Sequence, residues 1–357
     1  MATETQSSLD VEMFAFRHSE MAGILEAVQL KPTQGSPLKG LSAAVDESAR
    51  EMAGQAAPAA LAAATRIALP ERVIGVVTAA PPEPADFLWL YGAQSDLDFA
   101  YHQEDENGLH RLAWPVDGLA LLDLAAAPLD LLGPIEHHGV SMALGREEFS
   151  ALVAIADFVQ ADAMQGILMH DPPLTEPLTF RIEDLVALAE RATQSGDLRW
   201  AVARARLMSP IELDFGESVL APAVESLTEN RLLLEAGGLF EVTELLHRVC
   251  VLAGTCTGFS ALSTRTRAPE TGAWKLDHVA ISRGPESLLL LEFEDVTSTD
   301  FLVSIDDITP ALAFEWLQGG LLFEEVLEEE TVEPAPAQQP GLAPKPVFVP
   351  DSVSVPD

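Results

Sequence analysis

The chain has 357 residues, which is more than one average domain and enough to bury a sizeable core. Its formal net charge is -36, from 20 Lys and Arg against 56 Asp and Glu. Such a charge repels nucleic-acid phosphates and anionic lipid, and no apolar run reaches the roughly 18 residues of a transmembrane helix. We therefore expect neither nucleic-acid binding nor membrane insertion.

The first lobe begins with polar residues that lack the basic and apolar regions of a secretory signal, which predicts a cytoplasmic protein. Apolar residues at three- and four-residue spacing predict one helix over Phe14–Leu30 and alanine-rich helix over Leu38–Ala64. Three strands are predicted next, at Phe87–Tyr91, Leu97–His102 and Leu109–Trp114. His102 and His110 flank the turn between the last two strands, and we expect both histidines at the surface.

The second lobe opens with a predicted helical insert over residues 146–208. Residues 216–253 then read as helix, short hairpin and helix, with Gly237-Gly238 at the turn, which is the outline of a winged-helix-like segment. Its first helix carries Glu217, Glu225 and Glu229, whereas a helix that enters the major groove needs positive charge. A β-rich region over 259–304 and a helix near Ile308–Leu317 close the lobe.

Similar element orders in the two lobes suggest a diverged duplication, in which residues 35–52 echo residues 216–231. The predicted fold class is α+β, with two pseudo-repeated lobes that each combine a helical, winged-helix-like module with a small antiparallel sheet. The predicted domains are residues 12–132 and 142–327. Residues 328–357 are acidic and proline-rich with little periodic apolar surface, which predicts a disordered C-terminal tail.

Only the tail offers a candidate interaction motif. Its single apolar cluster consists of Pro346, Val347, Phe348, Val349 and Pro350, which could dock on a sheet edge or groove of a partner. The alternative interpretation is an inert linker end.

The sequence contains no recognisable catalytic, cofactor or metal motif, and we expect no cofactor. Cys250 lies on an apolar helical stripe and is expected to be a buried structural thiol. His137-His138 could bind a metal, but no further ligand stands at a characteristic spacing, which favours a solvated loop. We expect the arginines of the one basic stretch to pair with nearby carboxylates; these arginines are Arg191, Arg199, Arg204 and Arg206.

The segments AVESLTENRLLLEAGGLFEVTELLHRVCVLA and TRTRAPETGAWKLDHVAISRGPESLLLLEFEDV, in that order, carry a resemblance to a known family. The layout resembles EspG-like chaperones of type VII (ESX) secretion over residues 205–320, and more loosely over 13–130. The resemblance implies a central antiparallel sheet with pseudo-symmetric halves, and a helical secreted client bound in the cytosol. The insert at 146–208 and the tail depart from that pattern, and no functional residue is carried over.

The leading hypothesis is a non-enzymatic cytoplasmic chaperone or adaptor that binds protein partners and is associated with secretion. Two alternatives remain, a winged-helix transcriptional regulator and an enzyme with an unrecognised site. The missing motifs, the repeated layout and the tail favour the first.

Overall fold

The computed structural model describes residues 11–41, 45, 47–94, 97–169 and 178–321. Its strands are β1 (Met13–Arg17), β2 (Arg72–Ala79), β3 (Asp86–Gly92), β4 (Asp98–Glu104), β5 (Leu109–Asp117), β6 (Ser141–Gly145), β7 (Thr179–Phe180), β8 (Leu233–Ala236), β9 (Leu239–Val242), β10 (Gly258–Arg267), β11 (Trp274–Arg283), β12 (Leu288–Glu294) and β13 (Leu302–Asp307). Its α-helices are α1 (His18–Ala27), α2 (Glu47–Gly54), α3 (Pro58–Ala68), α4 (Gly118–Ala126), α5 (Arg146–Met169), α6 (Ile182–Ser195), α7 (Ala201–Met208), α8 (Glu217–Glu229), α9 (Glu244–Gly254) and α10 (Pro310–Leu321). The fold is therefore mixed α and β, as predicted.

One antiparallel sheet organises the described chain. It has ten strands in the order β1-β5-β4-β3-β2-β10-β11-β12-β13-β6. The structure differs here from the prediction of a small sheet in each lobe, because β2 and β10 pair from Ala79–Phe259 to Arg72–Thr266 and join the halves. β2 and β10 are both rich in buried residues. Because they pair with each other, neither strand is an edge strand with unpaired backbone groups.

The strand order is the same when it is followed inward from either edge. From one edge the order is β1, β5, β4, β3 and β2, and from the other edge it is β6, β13, β12, β11 and β10. This is the order that a duplication would give, and the duplication itself stays a prediction. The boundaries 12–132 and 142–327 stay predictions as well.

Helices cover the two faces of the sheet unequally. On the face that carries Ile74 and Val76, helices α4 and α10 pack over a single apolar cluster. The opposite face, which carries Val73 and Ala79, has two separate clusters. Helices α1, α2 and α3 pack over the N-terminal strands, and helices α5 to α9 pack over the C-terminal strands. We call this second face the divided face.

The helix–hairpin–helix predicted at 216–253 is confirmed as α8, β8, β9 and α9. The hairpin turns at Gly237 and Gly238, which have φ angles of 64° and 82°, a backbone conformation that glycine adopts without strain. A third strand, β7, comes from the preceding segment and completes a small sheet in the order β7-β9-β8.

The predicted helix over Phe14–Leu30 is wrong in its first turn. Residues 13–17 form the edge strand β1, in which Phe14 pairs with Leu112 and Phe16 with His110. Two phenylalanines spaced by two residues share one face of a strand but lie on different sides of a helix, and pairing with β5 completes the strand. Helix α1 begins only at His18.

No helix among the described residues is both long enough and apolar enough to cross a membrane.

Candidate protein-interaction surface

A strip that exposes two aromatic side chains, and is otherwise buried or half-buried, lies on the divided face between its two groups of helices. It consists of Phe87 and Trp89 on β3, Gly75 and Val77 on β2, and Ser263 on β10, and we call it the saddle. Gly75 lies directly opposite Trp89 on one side and Ser263 on the other, so these side chains share a face of the sheet.

The two aromatic residues of the saddle are unusually exposed for central-strand residues. Phe87 is 51% exposed and Trp89 is 44% exposed, whereas Leu88 and Leu90, which point to the opposite face, are buried. Two neighbouring aromatic side chains open to solvent form an apolar patch, and such patches mark interaction sites more often than single exposed residues do.

Gly75 sets the position of the Trp89 ring. A Cβ atom at position 75 would lie 2.8 Å from Cζ3 of Trp89, so the indole rests directly on the backbone of β2. An indole supported in this way loses little conformational freedom when a partner binds, because the ring is already placed.

A buried polar pair connects the saddle with α7. His278 is 6% exposed, and its Nε2 lies 2.6 Å from the carbonyl oxygen of Met208. A carbonyl only accepts, so Nε2 carries the proton and Nδ1 accepts a hydrogen bond from the Ser263 hydroxyl. Burial lowers the pKa of His278 to about 4, which makes its imidazole a weak general base.

The winged-helix-like segment presents an acidic face. Glu217, Glu225 and Glu229 of α8 are all exposed. The hairpin beside α8 exposes Leu234 at 49%. A negative helix of this kind repels the DNA backbone.

The predicted tail motif, Pro346 to Pro350, lies outside the described residues, so it stays a prediction.

Cys250 is fully buried, as expected, and burial raises the pKa of its thiol. His137 is exposed, and its Nδ1 lies 2.9 Å from Oδ2 of the buried Asp307. The loop is therefore partly solvated, with one imidazole held against a carboxylate.

His102 and His110 were predicted to lie at the surface, and this prediction is wrong. They are 5% and 1% exposed, and Nε2 of His102 lies 3.1 Å from Nδ1 of His110. The expectation that the arginines pair with nearby carboxylates is confirmed for Arg199, which pairs with Asp197, and Arg206 lies 3.8 Å from the carboxylate of Glu212. Arg204 is 1% exposed and donates to backbone carbonyls instead.

Phe87 and Trp89 were not predicted as interaction residues. In the segment DFLWLYG both alternating sets are apolar, so the strand reads as buried on both faces. Only the gap between the two helix groups exposes one of them.

No protein-family model matches the chain, and no curated protein matches it. Among solved structures, a chain from the Mycobacterium tuberculosis type VII secretion system chaperone EspG5 in complex with the PE25-PPE41 dimer is similar to this one. The sequence identity is 8% and the TM-score is 0.40, with 88% of this chain and 98% of that chain covered. A likeness of this size does not assign the chain to a family.

Proposed function

We propose that this protein is a non-enzymatic chaperone or adaptor that holds a protein partner in the cytosol through the saddle. The observation that carries the proposal is the exposure of Phe87 and Trp89 side by side on a central strand. Aromatic residues of this kind supply much of the binding energy at protein interfaces, since they bury a large area at a small entropic cost.

The partner segment is proposed to be an amphipathic helix. β2 pairs along its length with β3 and β10, whereas β3 pairs with β4 only at Leu90 and Tyr91. The saddle lies on the face of the sheet, and a sheet face presents side chains and not backbone groups. Recognition on this face therefore depends on side chains, which an apolar helix face provides. The net charge of -36 favours a helix flanked by basic residues.

Two observations weigh against the alternative functions. The acidic exposed face of α8 disfavours a DNA-binding regulator. The Ser263 hydroxyl and the His278 imidazole are arranged like a catalytic nucleophile and its general base, but the imidazole is buried and its pKa is about 4. A hydrolase that operates near neutral pH needs a base with a higher pKa.

We expect Trp89→Ser to weaken binding of the partner by about 30-fold, since loss of a central aromatic anchor costs about 2 kcal/mol. Partners would be captured from the native cytoplasm by the wild-type chain and identified by mass spectrometry. The leading partner would then be purified and its affinity measured by calorimetry for wild type, Trp89→Ser and Phe87→Ser.

Phe314→Ser is the matched control, because Phe314 is 42% exposed but lies on α10, away from the divided face. It should bind like wild type. A chain truncated after Leu327 separates the contribution of the tail motif. A partner that binds Trp89→Ser and Phe87→Ser as tightly as wild type would refute the role of the saddle, and loss on truncation alone would place binding in the tail.

A further inference from the structure

Three histidines and a glutamate meet where β1 passes into α1. His18 is the first residue of α1, and His110 lies on the neighbouring strand β5, opposite Phe16 of β1. Glu104 ends β4 and lies directly opposite His110. The registers therefore bring residues that are 92 positions apart in the sequence to one end of the divided face.

The spacing of the polar atoms suits a transition-metal ion. Nδ1 of His18 lies 3.2 Å from Nε2 of His110. Two nitrogens bound to one tetrahedral Zn²⁺ at their usual bond lengths lie about 3.3 Å apart. The nearest ligand atoms of His18, His110 and Glu104 all lie within 4.8 Å of one another, and rotation of the exposed Glu104 side chain can close the remaining distance.

His102 orients the central imidazole from behind. Its Nε2 lies 3.1 Å from Nδ1 of His110. When Nδ1 of His110 donates its proton to His102, the lone pair of Nε2 faces His18 and Glu104. Imidazoles that bind metals are commonly oriented by a hydrogen bond of this kind from their second nitrogen.

The exposure of these groups also fits a metal site. His110 is 1% exposed, so the surrounding packing holds its imidazole in place. His18 and Glu104 are exposed, so an ion can enter from solvent.

We propose that His18, His110 and Glu104 bind a divalent transition-metal ion of the Zn²⁺ type, with His102 as a positioning residue. Two imidazoles and one carboxylate provide three ligands and leave a coordination position open at the surface. The ion would join the start of α1 to the β4–β5 hairpin.

Titration of the full-length protein with ZnCl₂ in a calorimeter tests the proposal, and Co²⁺ absorption spectra report the coordination. We expect one tight site per chain. His18→Ala should weaken it by about 100-fold, and Glu104→Gln by about 10-fold or more. Both residues are exposed, so the variants should fold, which equal melting temperatures in EDTA would verify.

The matched controls are His247→Ala and Glu106→Gln, which alter an exposed histidine elsewhere and a neighbouring exposed acid. Both should bind Zn²⁺ like wild type. Absence of a saturable site in the wild type, or equal affinity in His18→Ala, would overturn the proposal. Loss of the site on mutation of His137 and His138 would overturn it too, because the ion would then lie in that loop.

A pair of variants tests the role of His102. The variant His102→Leu removes the acceptor for Nδ1 of His110 and should lower Zn²⁺ affinity by about 10-fold or more. The variant His102→Gln keeps an acceptor oxygen and should restore much of that affinity. A merely structural role would change the melting temperature in EDTA without this difference in affinity and Co²⁺ spectrum.

Discussion

Arg204→Met is expected to lower the free energy of unfolding by about 3–5 kcal/mol, because it leaves buried backbone acceptors without a donor. Arg204 is 1% exposed. Its Nη1 donates to the carbonyls of Leu198 and Arg199 at 2.9 Å and 2.8 Å. Its Nη2 donates to the carbonyls of Ala253 and Gly254 at 2.6 Å and 3.0 Å. One side chain thus joins the segment before α7 to the end of α9.

Methionine fills much of the same volume but donates no hydrogen bond. Apolar replacement of a buried charged pair is tolerated when both partners are replaced, but backbone carbonyls cannot be replaced. The change also removes the cation that faces the buried carboxylate of Asp157. Arg204→Lys keeps the charge but not the planar fork, so its stability should lie between those of wild type and Arg204→Met.

Urea denaturation followed by circular dichroism measures the effect. Arg199→Met is the matched control, because the Arg199 side chain is 71% exposed and pairs with Asp197 only at the surface. We expect the control to lie within about 1 kcal/mol of wild type. A loss of less than about 1 kcal/mol in Arg204→Met would contradict the structural role assigned to this arginine.

The sequence predicted elements well where one face of the element is apolar and the turn residues are distinctive. The helix–hairpin–helix at 216–253 is the clearest case, since Gly237-Gly238 marks a hairpin turn between two amphipathic stripes. Strands β4 and β5 were placed by the turn signal at Asn107-Gly108, and β3 by its run of apolar and aromatic residues. Local pattern was sufficient there because the tertiary packing agrees with it.

Long-range pairing could not be predicted. The join between β2 and β10 depends on residues far apart in sequence, and nothing local distinguishes it from two separate sheets. The burial of His102 and His110 has the same origin. They flank the turn at Asn107-Gly108, where local sequence predicts exposure, but β1 and α1 pack beside them and bury both side chains.

The candidate interaction surface escaped prediction for a related reason. Exposure of Phe87 and Trp89 depends on where two groups of helices stop, not on the composition of β3. Arg204 is a second case, because it was expected to pair with nearby carboxylates and is instead buried, where it donates to backbone carbonyls. Burial of single side chains is a property of the whole fold.

Two buried titratable groups are expected to respond to acid with opposite signs. Burial lowers the pKa of His278 from 6.5 to about 4. Burial raises the pKa of Asp157 from 3.8 to about 6, despite backbone hydrogen bonds from Ala201 and Val202 at 2.5 Å and 3.0 Å. Both sites disfavour the charged form of their group.

The direction of each effect follows from which state binds the proton. Between pH 6.5 and about 4 the unfolded chain protonates His278 while the folded chain does not, so this group lowers stability as pH falls. Between about pH 6 and 3.8 the folded chain protonates Asp157 first, so this group raises stability as pH falls. From about pH 7 to about pH 4.5 each contributes about 2 kcal/mol, and in the wild type they largely cancel.

Replacement of either group should reveal the pH dependence of stability that the other group contributes. Asp157→Asn should lose about 2 kcal/mol more than wild type on acidification from about pH 7 to about pH 4.5, and His278→Asn should lose about 2 kcal/mol less. Urea denaturation at the two pH values gives these differences, and a constant offset of either variant at both pH values does not affect them. If both variants and the wild type showed the same change in stability between the two pH values, neither group would have the shifted pKa that its burial implies.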